Sequence, residues 1–329
     1  MTRRTGRTPA RALAATFLGV LACASIAQAQ PGPWHQGPTG PSARYRVGSA
    51  NSGTALYVFG GGNAAAALLN DLWRWDPAAE SWTQLANMPT GKQNIQGSYW
   101  NGKIYVPGGF TTVHLAENAI YDIATNTWST GAPEPAIRSG ATAAYNNKIY
   151  VFGGNPGPSN QTLIYDIATN TWTTGANMPV AVTYGRAITV GNFAYYVGGI
   201  AGTTTNAVQR YDYVANTWTT MAPLQTARTS EELSADAFLG KIYAINGGDA
   251  SFFTGIPIAQ TVEIYDIATN TWTYGQQTLV TSAGPGGGLM PGGGGKFMIM
   301  GGVSGTTYYT DTQVSTNTTP VEVIGFTVE

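Results

Sequence analysis

The sequence predicts an all-β fold in which six similar units of four antiparallel strands close into a ring, a six-bladed β-propeller. Three observations predict it. The octet Tyr-Asp-Ile-Ala-Thr-Asn-Thr-Trp occurs unchanged at 121–128, 165–172 and 265–272, with looser copies at 75–82 and 211–218. Six apolar runs each end in two glycines, whose first members (Gly60, Gly108, Gly153, Gly198, Gly247 and Gly301) lie 45 to 54 residues apart. Beyond the N-terminal segment no long apolar period of 3.6 appears, so helices are expected to be nearly absent. A repeat of this length, cut into short strands, is what one propeller blade needs.

Residues 1–29 stand apart from the repeats. Arg3, Arg4, Arg7 and Arg11 form a positive stretch, an apolar run follows from Ala12 to Ile26, and Ala27-Gln28-Ala29 gives a small-x-small site. These features predict a signal peptide cleaved after about Ala29, a propeller over 30–329, and a secreted, periplasmic or cell-surface location. Val20-Leu21-Ala22-Cys23 also resembles a lipoprotein box, which would place a lipid on Cys23. The run is too short to span a bilayer and no later stretch is longer, so no transmembrane segment is expected. Cleavage removes four arginines and the single cysteine, leaving 12 basic against 17 acidic residues. Such a chain offers no disulfide and no thiolate, and its net negative charge lacks the footprint of a nucleic-acid binder.

Within the unit each part has a physical task. The run before the glycines is β-branched and aromatic and reads as a buried strand. The glycines open backbone angles closed to other residues. In the octet, Asp bonds turn amides and Asn tolerates the left-handed region, so the octet is a hairpin between two strands. Its Tyr and Trp are large enough to fill the wedge between blades.

Apolar strand, double glycine, variable stretch, Tyr-Asp, then Trp: this order resembles the Kelch repeat of exported bacterial propellers, in six copies over almost all of 30–329. The resemblance implies four antiparallel strands per blade, the innermost lining a central channel and Trp on the outermost. Only Trp82, Trp128, Trp172, Trp218 and Trp272 follow the six double glycines in this pattern; Trp34, with Arg44 ten positions on, matches the spacing of Trp128 and Arg138. The last blade is therefore expected to be closed by an N-terminal outer strand. The segment Val321–Glu329 resembles Val262-Glu-Ile-Tyr and is expected as its third strand.

The resemblance also implies that two sets of loops share one face. The basic position ten residues after Trp recurs at Arg44, Lys92, Arg138 and Arg228, whereas Val182 and Ser282 fill the other slots and Arg186 is slightly displaced. Some Kelch domains bind acidic peptides with arginines here, so these four are candidate ligand residues; the alternative is that they bridge blades through backbone carbonyls. The inner strand of blade five is unusual in carrying Glu231 and Glu232 close to Arg228, either an acid–base pair or a structural ion pair. Longer loops bring Phe252, Phe253 and Ile256 in blade five and Tyr308 and Tyr309 in blade six, a candidate pocket wall.

No cofactor or metal is implied. His35 and His114 lie far apart without clustered carboxylates, no Gly-x-Ser-x-Gly elbow occurs, and the run at 292–296 lacks the Ser/Thr of a phosphate loop. Galactose oxidase, on the same repeats, needs a cysteine that the mature chain lacks. The reading is a secreted or envelope-associated, non-catalytic binding propeller that recognises a protein or glycan partner, anionic in character, through its loop face. Two alternatives stay open: a cofactor-free carbohydrate enzyme similar to the sialic acid mutarotases, and a structural or adhesive surface component.

Overall fold

The computed structural model describes residues 1, 31–237, 239–249, 262–290 and 296–317. Among these there is no helix; the chain forms six four-stranded antiparallel sheets and two short hairpins. Blade three shows the pattern, running outward through Ser139–Tyr145, Lys148–Asn155, Thr162–Asp166 and Thr171–Thr174. The inner strands are Gly48–Asn51, Ser98–Trp100, Ser139–Tyr145, Arg186–Val190, Glu232–Asp236 and Gly286–Leu289. Each touches the next around the axis and the sixth touches the first, which closes the ring.

Burial follows strand position. The second strands, such as Leu56–Phe59 and Phe297–Met300, are buried throughout because a neighbouring blade covers both faces. Outer strands such as Thr127–Gly131 are exposed or half-buried throughout, with Trp128 on the covered side, as one-sided packing requires. The core is a set of wedges between blades. In one of them Tyr57, Phe59 and Leu72 of blade one pack with Ile104, Val106 and Tyr121 of blade two, each side chain contributing about 1.5–3 kcal/mol by leaving water.

The octet explains why the repeats are so regular. Asp122 Oδ1 accepts the turn amides of Ala124 and Thr125, and Asn126 sits in the left-handed region at φ 53°. Asn126 Oδ1 then accepts the hydroxyl of Tyr121 and, from the preceding blade, the amide of Ala86, both at 2.8 Å. Trp128 Nε1 returns a bond to the Ala86 carbonyl at 2.7 Å. Asn170 with Trp172, Asn216 with Trp218 and Asn270 with Trp272 repeat the same stitch on Ala132, Ala176 and Ala222. Between blades six and one it is missing: the matching position on blade six is Pro38, which has no N–H to give. There Glu80 replaces Asn, and the Trp82 indole N–H is buried with no acceptor among the described residues.

The N-terminal strand Pro31–Gln36 pairs antiparallel with Thr312–Asn317, Trp34 opposite Ser315, and completes blade six. Trp34 is buried and its indole bonds Gln276 O at 3.2 Å. The third strand of this blade is thus Thr312–Asn317; Val321–Glu329 lies outside the described residues. The match to blade five misleads because a compact hairpin, Val303–Ser304 with Thr307–Tyr308, shortens the path after the double glycine. In blade five the glycine register also shifts by one. The pair of left-handed residues is Asn246 and Gly247, at φ 59° and 106°, matching Gly60 and Gly61 at 58° and 99°. Asn tolerates that region, which frees Gly248 to bridge Thr229.

Candidate functional site

The four basic residues predicted as a ring lie inside the wall of the propeller, none more than 5% exposed. Each arm ends on the carbonyl that precedes or belongs to its blade's glycine turn. Arg44 Nη1 donates to Gly60 O, and its guanidinium holds Asp71 bidentately at 2.9 and 2.7 Å. Lys92 Nζ donates to Val106 O and Gly108 O and pairs with Glu117 at 3.0 Å. Arg138 donates to Gly153 O and Gln161 Oε1, with Glu134 3.7 Å from its Nε. Arg228 donates to Ala244 O and Asn246 O and pairs with Glu263 at 2.6 Å. This is the blade-bridging arrangement.

The electrostatics agree with that placement. Burial lowers the affinity of Lys92, Arg138 and Arg228 for their protons, against the pull of Glu117, Glu134 and Glu263 respectively. Burial would raise the Asp71 carboxyl, but the hydrogen bond and charge of Arg44 outweigh it and hold Asp71 below the usual range.

The channel mouth is built two residues further on. At twelve positions after each Trp stand Arg46, Asn94, Gly140, Tyr184, Ser230 and Gly284. Five of these six are left-handed: Arg46 at φ 55°, Asn94 at 55°, Tyr184 at 57°, Ser230 at 53° and Gly284 at 69°. They bond one another from blade to blade, Asn94 N to Arg46 O, Ser230 N to Tyr184 O and Gly284 N to Ser230 O. The result is a strained collar, costing about 1 kcal/mol or more at each non-glycine position.

Arg46 is the charge on this collar. Its guanidinium carbon lies 5.0 Å from the Tyr45 ring centroid, cation–π distance. Burial lowers its proton affinity, and the phenols of Tyr45, Tyr184 and Tyr308 oppose that. Tyr308 packs edge-on against Tyr45 at 5.2 Å. Of the predicted wall residues, Tyr308 is therefore at the mouth, while Phe252, Phe253 and Ile256 lie outside the described residues. His114 flanks the site, its Nδ1 3.0 Å from Ser139 Oγ.

Arg186 forms the floor. It reaches across the axis from blade four and donates to Ile95 O at 2.7 Å, Val47 O at 2.9 Å and Glu231 O at 3.1 Å. Between collar and floor remains a cavity of about 30 Å³, room for roughly one water.

Glu231 and Glu232 sit beside this floor. Glu232 Oε2 accepts Ser49 Oγ at 3.0 Å, whereas among the described residues the buried Glu231 carboxyl has no hydrogen-bond partner outside its own backbone. Burial pushes Glu231 up to about 8 and Glu232 up to about 7. Arg228 forms its 2.6 Å ion pair with Glu263 and attracts Glu231 through space. Among the described residues no three His, Cys, Asp or Glu side chains cluster as metal ligands.

The spacing after Trp held the signal for Arg46 and Tyr184, but at offset twelve rather than ten. Lysine and arginine at offset ten stand out by charge; five of the six residues at offset twelve share only a backbone angle, which no residue type announces.

A closed ring of six such blades defines a β-propeller of the repeat-built kind. The chain belongs to the Kelch-repeat family: residues 130–302 match the KLHDC2/KLHL20/DRC7 Kelch-repeats domain, and residues 43–89 match the Kelch motif. Among curated relatives, Kelch-like protein 25 of Rattus norvegicus is 27% identical over 70% of this chain and 41% of its own length. Beta-scruin of Limulus polyphemus is 31% identical over 37% of this chain and 14% of its own length. N-acetylneuraminate epimerase of Pasteurella multocida (strain Pm70) is 35% identical over 42% of this chain and 38% of its own. The chain thus spans well under half the length of these relatives. A solved structure of YjhT superposes with a TM-score of 0.68 at 16% identity, covering 85% of this chain and 95% of that one; this likeness concerns the fold.

Proposed function

We propose that the chain is an exported recognition propeller whose collar binds an anionic group of a protein or glycan partner. Arg46 supplies the charge, and Tyr45, Tyr184 and Tyr308 supply rings and hydroxyls around it. The observation that carries this reading is a guanidinium stacked over the Tyr45 ring, with Tyr308 edge-on against the same ring, on a strained backbone collar. In the same reading Arg44, Lys92, Arg138 and Arg228 brace the loops from within. The test is calorimetric titration with sialyllactose and with a short poly-glutamate peptide. Arg46→Ala should weaken any binding by at least tenfold, and added salt should weaken the parent's binding. An Arg46→Ala variant that binds as tightly as the parent overturns the assignment.

A second reading, a carbohydrate enzyme, is favoured by the relative named N-acetylneuraminate epimerase and by two buried carboxyls that titrate near neutrality beside an arginine. It predicts faster interconversion of N-acetylneuraminate anomers, followed by NMR, and loss of that acceleration in Glu232→Gln. No acceleration by the parent protein removes it.

A further inference from the structure

The channel below the floor forms a second chamber on the opposite face from the collar. Two adjoining cavities of about 170 and 90 Å³ share Asn51, Gln96, Gly97 and Ile188. Asn51 is exposed and Tyr99 and Thr189 are half-buried, so the chamber opens to solvent away from Arg46.

Its chemistry follows from the topology of the ring. Every inner strand is paired on one side only, so six strand edges present backbone N–H and C=O groups to one channel. Buried groups of this kind need partners. At the floor, side chains provide them. Arg186 serves the carbonyls of Val47, Ile95 and Glu231. Gln96 donates to Ala187 O at 2.6 Å and accepts from the amides of Ala187 and Thr142 at 3.2 Å.

Below that level the channel is empty space rather than side chain. Ser98 and Thr142 add a bonded hydroxyl pair at 2.8 Å with lone pairs and one proton to spare, Thr189 is already engaged with Ala144 O and Tyr213 Oη, and Tyr99 and Ile188 add apolar faces. Among the described residues no charged side chain lines the larger cavity, and Glu232 is the one carboxyl on the smaller. Hydroxyls, amides and strand edges alternating with an aromatic and an aliphatic face suit a ligand with the same alternation.

The geometry points to a binding site for a small, neutral, polyhydroxylated molecule in this lower chamber. The site is separate from the collar, because Arg186 and Gln96 lie between the two. It therefore stands whether or not the collar binds anions.

The test uses the whole protein with glucose and glycerol as probes, by ligand-observed NMR and calorimetry. Saturable binding is expected, equal in the parent and in Arg46→Ala, and at least tenfold weaker in Ile188→Trp, which fills the chamber. Asn51→Trp, at the exposed rim, gives the same loss by blocking entry and guards against misfolding of the first variant. Three outcomes overturn the proposal: no saturation with either probe, binding that survives both tryptophan variants, or a sugar-soaked crystal with only waters in the chamber.

Discussion

The guanidinium of Arg186 donates to the carbonyl of Val47, 2.9 Å away and 139 positions earlier in the chain. With its bonds to Ile95 O and Glu231 O it ties blade four to blades one, two and five across the axis. Removing it strands three buried carbonyls. Arg186→Ala should cost about 3–5 kcal/mol in urea unfolding, since each loss to a charged donor is worth about 1.5–3 kcal/mol and some relaxation follows. Arg186→Lys should rescue little, because an ammonium cannot fork to three acceptors. A variant as stable as the parent would mean that water replaces the side chain at no cost.

Arg228 and Glu263 form a pair with both side chains fully buried, and Glu263 also accepts the amides of Gln225 and Thr226. Arg228→Met leaves that carboxylate without its cation and should destabilise by about 3–5 kcal/mol. Adding Glu263→Gln should recover most of the loss. Additive effects in the double variant would show that the two side chains act independently.

Stability should depend on pH in a defined sense. Burial raises Glu231 and Glu134 to about 8 and Glu232 to about 7 in the folded state. Each is more easily ionised when unfolded, so its contribution is full below the ordinary carboxyl range. That contribution drains away as pH rises toward about 8. Asp71, held low by Arg44, acts oppositely and loses its contribution in acid. The melting temperature should fall from pH 5 to pH 8, and Glu231→Gln should flatten that fall. An unchanged slope in the variant would show that Glu231 is solvated after all.

The octet's Asn should matter more than its exposure suggests. Asn170 supplies the left-handed angle and accepts both Tyr165 Oη and Ala132 N at 2.7 Å. Asn170→Ala should cost about 2–3 kcal/mol by thermal unfolding, and Asn170→Gly should recover only the part that belongs to the backbone angle. Equal stability of the Gly and Asn forms would assign the whole effect to conformation.

Much of the architecture was legible because the same physical problem recurs six times. The Asp and Asn of the octet and the Trp spacing announced the hairpins, and Trp34 announced the closing strand. Where the repeat drifts, the sequence misleads. Asn246 does a glycine's work, so the double glycine of blade five reads one residue late. Thr312–Asn317 lacks the Tyr-Asp signature of a third strand, and Val321–Glu329 looks more like one. The candidate site was legible only in outline. Charge drew the eye to Arg44, Lys92, Arg138 and Arg228, although a side chain's charge does not say whether it faces solvent or carbonyls. Arg46 and Tyr184 stand out by their backbone angle alone.

Closure of blade six by Pro31–Gln36 also sets an order of events in synthesis. This strand leaves the ribosome among the earliest of the propeller, yet its partner Thr312–Asn317 is among the last. Blades one to five can each assemble as their own four strands emerge, since their pairings are local in sequence. The first strand must wait, tethered and unpaired, until Thr312–Asn317 has been made. Ring closure therefore comes after blades one to five have their strands, and a nascent chain stalled before residue 312 holds an open arc with an unsealed seam.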